Sequence, residues 1–193
     1  MLRRATELKP KFFSLRTRAI LCIFYLTGKR RSEVCRLELN DIEASGGVLN
    51  IAFTLSKKRR ESVLTKRAIK TIPLTDPLTH PITEYLYYLK AMNPPPRYLL
   101  PACKPVFGSG YVIDGETHIG GRQLLNLVRQ VSEDAWPHLF RETAGAEIVK
   151  HDPTIVGVFK VKQRLDHENL QTSMRYLARY ANDVINREES KSG

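Results

Sequence analysis

Leu15-Arg16-Thr17-Arg18-Ala19-Ile20-Leu21-Cys22-Ile23-Phe24-Tyr25-Leu26-Thr27-Gly28-Lys29-Arg30-Arg31-Ser32-Glu33 is the stretch on which the fold turns. Its first twelve residues keep an apolar helical pattern through Ile20, Leu21, Ile23 and Phe24, which predicts a helix over 15–26 that ends near Gly28. Val34, Leu37 and Leu39 resume that spacing and predict a second short helix over 30–39. A buried helix therefore runs straight into a cationic corner.

Further along the chain, Gly46-Gly47 breaks the pattern. Val48, Leu49, Ile51, Phe53 and Leu55 then read as a strand, and residues 68–74 as its returning partner. Lys57-Lys58-Arg59-Arg60, with Lys66 and Arg67, makes a basic hairpin tip between them. A helix over 81–92 stops at Pro94-Pro95-Pro96 and gives way to a long Pro- and Gly-rich loop. Residues 121–132, 138–150 and 168–187 read as helices, and Val156 to Phe159 as a short strand or a turn. The expected class is α+β, a mainly helical domain with one small antiparallel sheet.

Bulk properties narrow the function. A chain of 193 residues with 42% hydrophobic content suits one domain, residues 1–193, with its own core. No apolar run is long enough to span a bilayer, and Cys22, Cys35 and Cys103 form no C-x-x-C pair. A cytoplasmic protein with reduced thiols and no disulfide, zinc site or cofactor is expected. The formal net charge of +11 favours a polyanionic partner, nucleic acid above all.

Four separated segments carry candidate chemistry. They are Thr27-Gly28-Lys29-Arg30-Arg31-Ser32-Glu33; Lys57; His138-Leu139-Phe140-Arg141; and His167-Glu168-Asn169-Leu170-Gln171-Thr172-Ser173-Met174-Arg175-Tyr176. In this order and spacing they resemble the catalytic boxes of the tyrosine recombinase (phage integrase) family. The first box, T-G-x-R-x-S-E, matches at every fixed position. The second, H-x-x-R, is met by His138 and Arg141. The third, G-H-x-x-x-x-T-T-x-x-Y, is met with Asp166 for Gly and Ser173 for the second Thr. Glu142 departs from the His common after the second arginine. No motif marks the lysine: Lys57 is preferred for sharing the strand parity of Ile51 and Phe53, with Lys58 and Lys66 as alternatives.

The resemblance implies an enzyme that cleaves and rejoins double-stranded DNA through a 3′-phosphotyrosyl bond, without metal or ATP. Two guanidiniums, Arg30 and Arg141, would hold the non-bridging oxygens of a pentacoordinate phosphate in a fixed fork. Tyr176, whose unperturbed pKa is near 10, would be the nucleophile, helped by cationic neighbours and by His138. His167 would hydrogen-bond a phosphate oxygen or brace the arginines, and Lys57 would protonate the leaving 5′-oxygen. Lys58, Arg59, Arg60, Lys66 and Arg67, with Arg122, Lys160, Lys162 and Arg164, would contact phosphates. The resemblance further implies self-assembly on DNA, and an N-terminal core-binding domain, usual in the family, has no counterpart ahead of the first helix. A type IB topoisomerase and a non-catalytic DNA-binding relative are the alternatives.

Overall fold

The structure is a computed structural model and describes residues 1–54, 67–106 and 110–189. Its helices are α1 (Leu2–Thr6), α2 (Lys11–Thr27), α3 (Arg31–Cys35), α4 (His80–Lys90), α5 (Gly121–Val131), α6 (Pro137–His151), α7 (Ile155–Leu165) and α8 (Leu170–Glu189). The strands are β1 (Ile42–Ser45), β2 (Val48–Thr54), β3 (Arg67–Pro73), β4 (Pro101–Val106) and β5 (Gly110–His118). The α+β, mainly helical class expected from the sequence is what forms.

Helix α2 is apolar nearly all round, and such a helix is stable only when enclosed. It is enclosed here by α1, α4, α5 and α6. Ala19, Ile20, Ile23 and Phe24 are fully buried on it. Gly28 ends the helix in the left-handed conformation (φ 58°), its N–H donating to Phe24 O at 2.9 Å. A Cβ at this position would meet Leu165 Cδ2 at 2.4 Å, so both backbone and space require glycine.

The β1-β2-β3 sheet is antiparallel, with Thr54 paired to Arg67. Leu49, Ile51 and Phe53 all point inward and are fully buried, as strand alternation demands. Gly46-Gly47 is not merely a break. Both residues have positive φ (56° and 77°) and make the two-residue turn that joins β1 to β2. The second short helix is trimmed to α3, and the chain reaches β1 through a 3-10 turn at Leu39–Asp41.

Two expectations are corrected. The Pro- and Gly-rich stretch is not all loop: β4 and β5 pair there as a second antiparallel sheet. Pro101, Pro105 and largely solvent-facing positions erase the alternation that would reveal those strands. Val156 to Phe159 is neither strand nor turn but part of α7. Thr154 caps that helix by accepting from Val156 N at 3.2 Å, and Val158, Val161 and Leu165 keep helical spacing on its buried face. Helices α6, α7 and α8 enclose a second small core of Ala144, Val149, Val161 and Leu165, against which Tyr176, Leu177 and Tyr180 pack. No helix among the described residues is long and apolar enough to cross a membrane.

Candidate active site

The cationic corner lies where the main core meets the α6–α8 core. Arg30 sits just ahead of α3 and is fixed by Glu33, which is almost wholly buried. One Glu33 carboxylate oxygen accepts the Arg30 backbone N–H at 2.9 Å and the other accepts the guanidinium at 3.3 Å. The Arg30 side chain remains 53% exposed, so it is aimed but accessible.

Arg141, on α6, is only 4% exposed. Its guanidinium donates to Gly28 O at 2.6 Å and to Leu165 O, tying the end of α2 to the end of α7. Burial, and then Arg30, lower its pKa from the usual guanidinium value.

His167 follows α7 and is buried, with Nδ1 2.8 Å from Ser173 Oγ. Burial first, then Arg141 and Arg30, push its pKa down to about 4, so the imidazole is neutral at pH 7. Its ring stacks on that of Tyr176 at 6.1 Å between centroids and 23° between planes. Tyr176 lies flat against Gly145 of α6: a Cβ there would fall 2.5 Å from Cε1. Burial raises the phenol pKa, which Arg141 opposes and Glu142 reinforces. At Tyr176, then, desolvation outweighs the opposing charge of Arg141.

His138 is exposed, and its Nε2 lies 3.3 Å from Glu142 Oε1. It nevertheless lines a cleft of about 360 Å³ together with Arg30 and Arg141. Three of the four segments singled out in the sequence thus contribute Arg30, His138, Arg141, His167 and Tyr176 to one neighbourhood. Lys57, with Lys58, Arg59, Arg60 and Lys66, lies outside the described residues, as does the side chain of Arg67. Lys160 is occupied by Asp152 at 2.7 Å, and Arg164 is half-buried in the field of Asp76 and Tyr25. Neither faces this cleft.

A family model described as "Phage integrase family" matches residues 4–183. The chain belongs to the phage integrase family. A protein named tyrosine recombinase, from Pseudothermotoga lettingae, is 25% identical over 158 residues, covering 82% of this chain and 48% of that protein. Among solved structures, a XerH site-specific recombinase in a pre-cleavage complex with its difH substrate superposes with TM-score 0.62 at 16% identity, covering 91% of this chain and 47% of that one. The XerH post-cleavage complex with a palindromic difH substrate gives 0.66 at 15%, covering 98% and 49%. XerA recombinase gives 0.59 at 17%, covering 91% and 54%. These structures share the fold. The chain spans about half the length of the relatives it matches.

Seen as a phage integrase chain, its departures from the family pattern become informative. Asp166, standing where the third box has Gly, adopts φ 50°, which explains why glycine suits that place. Its carboxylate accepts from Lys29 Nζ at 2.5 Å and from Lys70 Nζ at 3.2 Å. Lys29 is the unspecified residue of the first box and is fully buried, its Nζ also 4.8 Å from the centre of the Phe53 ring. Asp166 therefore ties the first box, the third box and strand β3 into one unit. Sequence reading missed Lys29, Lys70 and Gly145. The one available signal was the charge of Asp166, which called for a cationic partner.

Proposed function

We propose that the chain is the catalytic domain of a cytoplasmic, site-specific DNA recombinase. The observation that carries this reading is the setting of Tyr176: half-buried, seated on Gly145, stacked on a neutral His167 and within the field of Arg141. The phenol oxygen attacks the scissile phosphorus and the P–O5′ bond breaks. A 3′-phosphotyrosine and a free 5′-hydroxyl result, and attack by a 5′-hydroxyl reverses the step. Arg30 and Arg141 hold the non-bridging oxygens, where charge grows in the transition state. His167 hydrogen-bonds one of them. His138, exposed on the same cleft, takes the phenol proton, and Lys57 supplies one to the leaving oxygen. Arg141, whose charge already opposes the rise that burial imposes on the Tyr176 pKa, favours the phenolate as the proton leaves.

The net charge of +11 supports DNA as the partner, and strand exchange implies several protomers on paired sites. The match to the phage integrase family over residues 4–183 weighs against the topoisomerase alternative. The test is capture of covalent adducts from a randomised library of nicked duplexes, resolved on a denaturing gel. The wild-type protein forms adducts and Tyr176→Phe forms none. Adducts with the Phe variant would shift the nucleophile to Tyr180, one turn on. No adduct from any duplex would leave the non-catalytic relative. A 5′-thiol leaving group needs no proton, so it should restore cleavage by Lys57→Ala; rescue of Lys58→Ala or Lys66→Ala instead would move that role.

A further inference from the structure

The cleft that holds Arg30, His138 and Arg141 contains more positive charge than one reacting phosphate requires. A phosphodiester carries one negative charge and gains about one more in its pentacoordinate state, which Arg30 and Arg141 match. The same cleft is lined by two further guanidiniums, Arg31 and Arg129. Among the described residues no carboxylate lines it, and neither Arg31 nor Arg129 has an ion-pair partner. Like charges lining one cleft repel unless anions lie among them.

Both extra cations are associated with α5. A Cβ on Gly121 would lie 3.0 Å from Arg31 Nε, so the Arg31 side chain lies over the first turn of α5, where the missing side chain leaves room. Leu125 and Arg129 follow on the same helix, Arg129 about 12 Å beyond Gly121 at the rise of an α-helix. That is too long for one phosphate group. Trp136 and Pro137 line the same cleft, and Trp136 is 42% exposed. An exposed aromatic face beside free guanidiniums is the pairing that receives a nucleotide: the ring takes base or sugar and the cations take phosphate.

We propose that Arg31, Arg129 and Trp136 form a subsite for the DNA strand flanking the reacting phosphate, with Arg129 on an adjacent phosphate and Trp136 against the nucleotide between. The proposal rests on the recombinase reading for which phosphate reacts. Its residues act by holding the strand in register, so their loss weakens DNA binding and raises KM while leaving the rate at saturating DNA nearly unchanged.

The experiment uses the full chain and a duplex recovered by adduct capture, with phosphates near the cleavage point replaced one at a time by neutral methylphosphonate. Neutralising one flanking phosphate should weaken wild-type binding about 10-fold, the scale of one charge-assisted hydrogen bond. Arg129→Ala should bind the unmodified duplex about 10-fold more weakly and be indifferent to methylphosphonate at that one position. Equal sensitivity of wild type and Arg129→Ala at every position would overturn the subsite while leaving the recombinase reading intact. Should no duplex give an adduct, the recombinase reading fails, and the subsite is read from salt dependence on a duplex of arbitrary sequence. Arg31→Ala and Arg129→Ala should each then lower the slope of log K against log salt by about 0.9. Trp136→Ala should weaken binding with the slope unchanged, and Lys90→Ala, outside the cleft, sets the background. Slopes unchanged in both arginine variants would overturn the subsite on this route as well.

Discussion

Asp166 occupies a left-handed backbone position immediately before His167, and its carboxylate is the counter-ion of a fully buried lysine. Glycine there would relieve about 1–2 kcal/mol of backbone cost. It would also leave Lys29 charged and unpaired in the core, and breaking a buried pair from one side costs about 3–5 kcal/mol. Asp166→Gly should therefore be destabilising by about 2 kcal/mol or more in urea denaturation, whereas Lys29→Met combined with Asp166→Gly should return close to wild type. His167 gives a pH signature. Its folded pKa of about 4 lies below the unfolded value of about 6.5, so the unfolded chain takes up the proton first. Stability from this group is fully present above pH 6.5 and is lost as pH falls toward 4. The difference in urea midpoint between pH 7 and pH 4.5 should shrink in His167→Gln relative to wild type.

At the scale of elements, the packing of α8 on α6 depends on a missing side chain. Glycine inside a helix costs roughly 0.5–1 kcal/mol relative to alanine, so Gly145→Ala would ordinarily stabilise α6. Here the new methyl would lie 2.5–2.8 Å from three atoms of the Tyr176 ring. Gly145→Ala should accordingly destabilise the wild-type protein by about 1–3 kcal/mol, as overpacking does, and should stabilise the Tyr176→Ala background. A double-mutant cycle followed by thermal or urea unfolding reads the reversal of sign. In adduct assays Gly145→Ala should retain DNA binding and lose covalent product, because the ring is displaced from His167 and Arg141.

For the whole molecule the governing quantity is charge. The net charge of +11 and the cleft cations lead us to expect DNA affinity made mostly of phosphate contacts, with little sequence selectivity in this chain alone. With about five phosphates neutralised, doubling the salt concentration should weaken binding roughly 20-fold. Fluorescence anisotropy on two duplexes of unrelated sequence checks both the slope and the selectivity. Affinities differing by more than about 100-fold between them would point to base contacts.

Composition and pattern settle what is local or one-dimensional. The apolar run from Leu15 to Leu26 determines a buried helix, and the alternation of Leu49, Ile51 and Phe53 determines a strand with one face inward. The order and spacing of the boxes point to the family that the match over residues 4–183 shows. Where alternation is absent, in β4 and β5, and where β-branched residues resemble a strand, in α7, the deciding energy comes from partners far along the chain. The same holds for the site. No periodicity reveals that Arg141 donates to the carbonyls of Gly28 and Leu165, that Lys29 reaches Asp166 across 137 positions, or that Tyr176 rests on Gly145. These contacts, and the burial that pushes His167 down and Tyr176 up in pKa, exist only once α6, α7 and α8 have closed on the end of α2. Desolvation and packing depend on distance in space, and only the tertiary structure sets that distance.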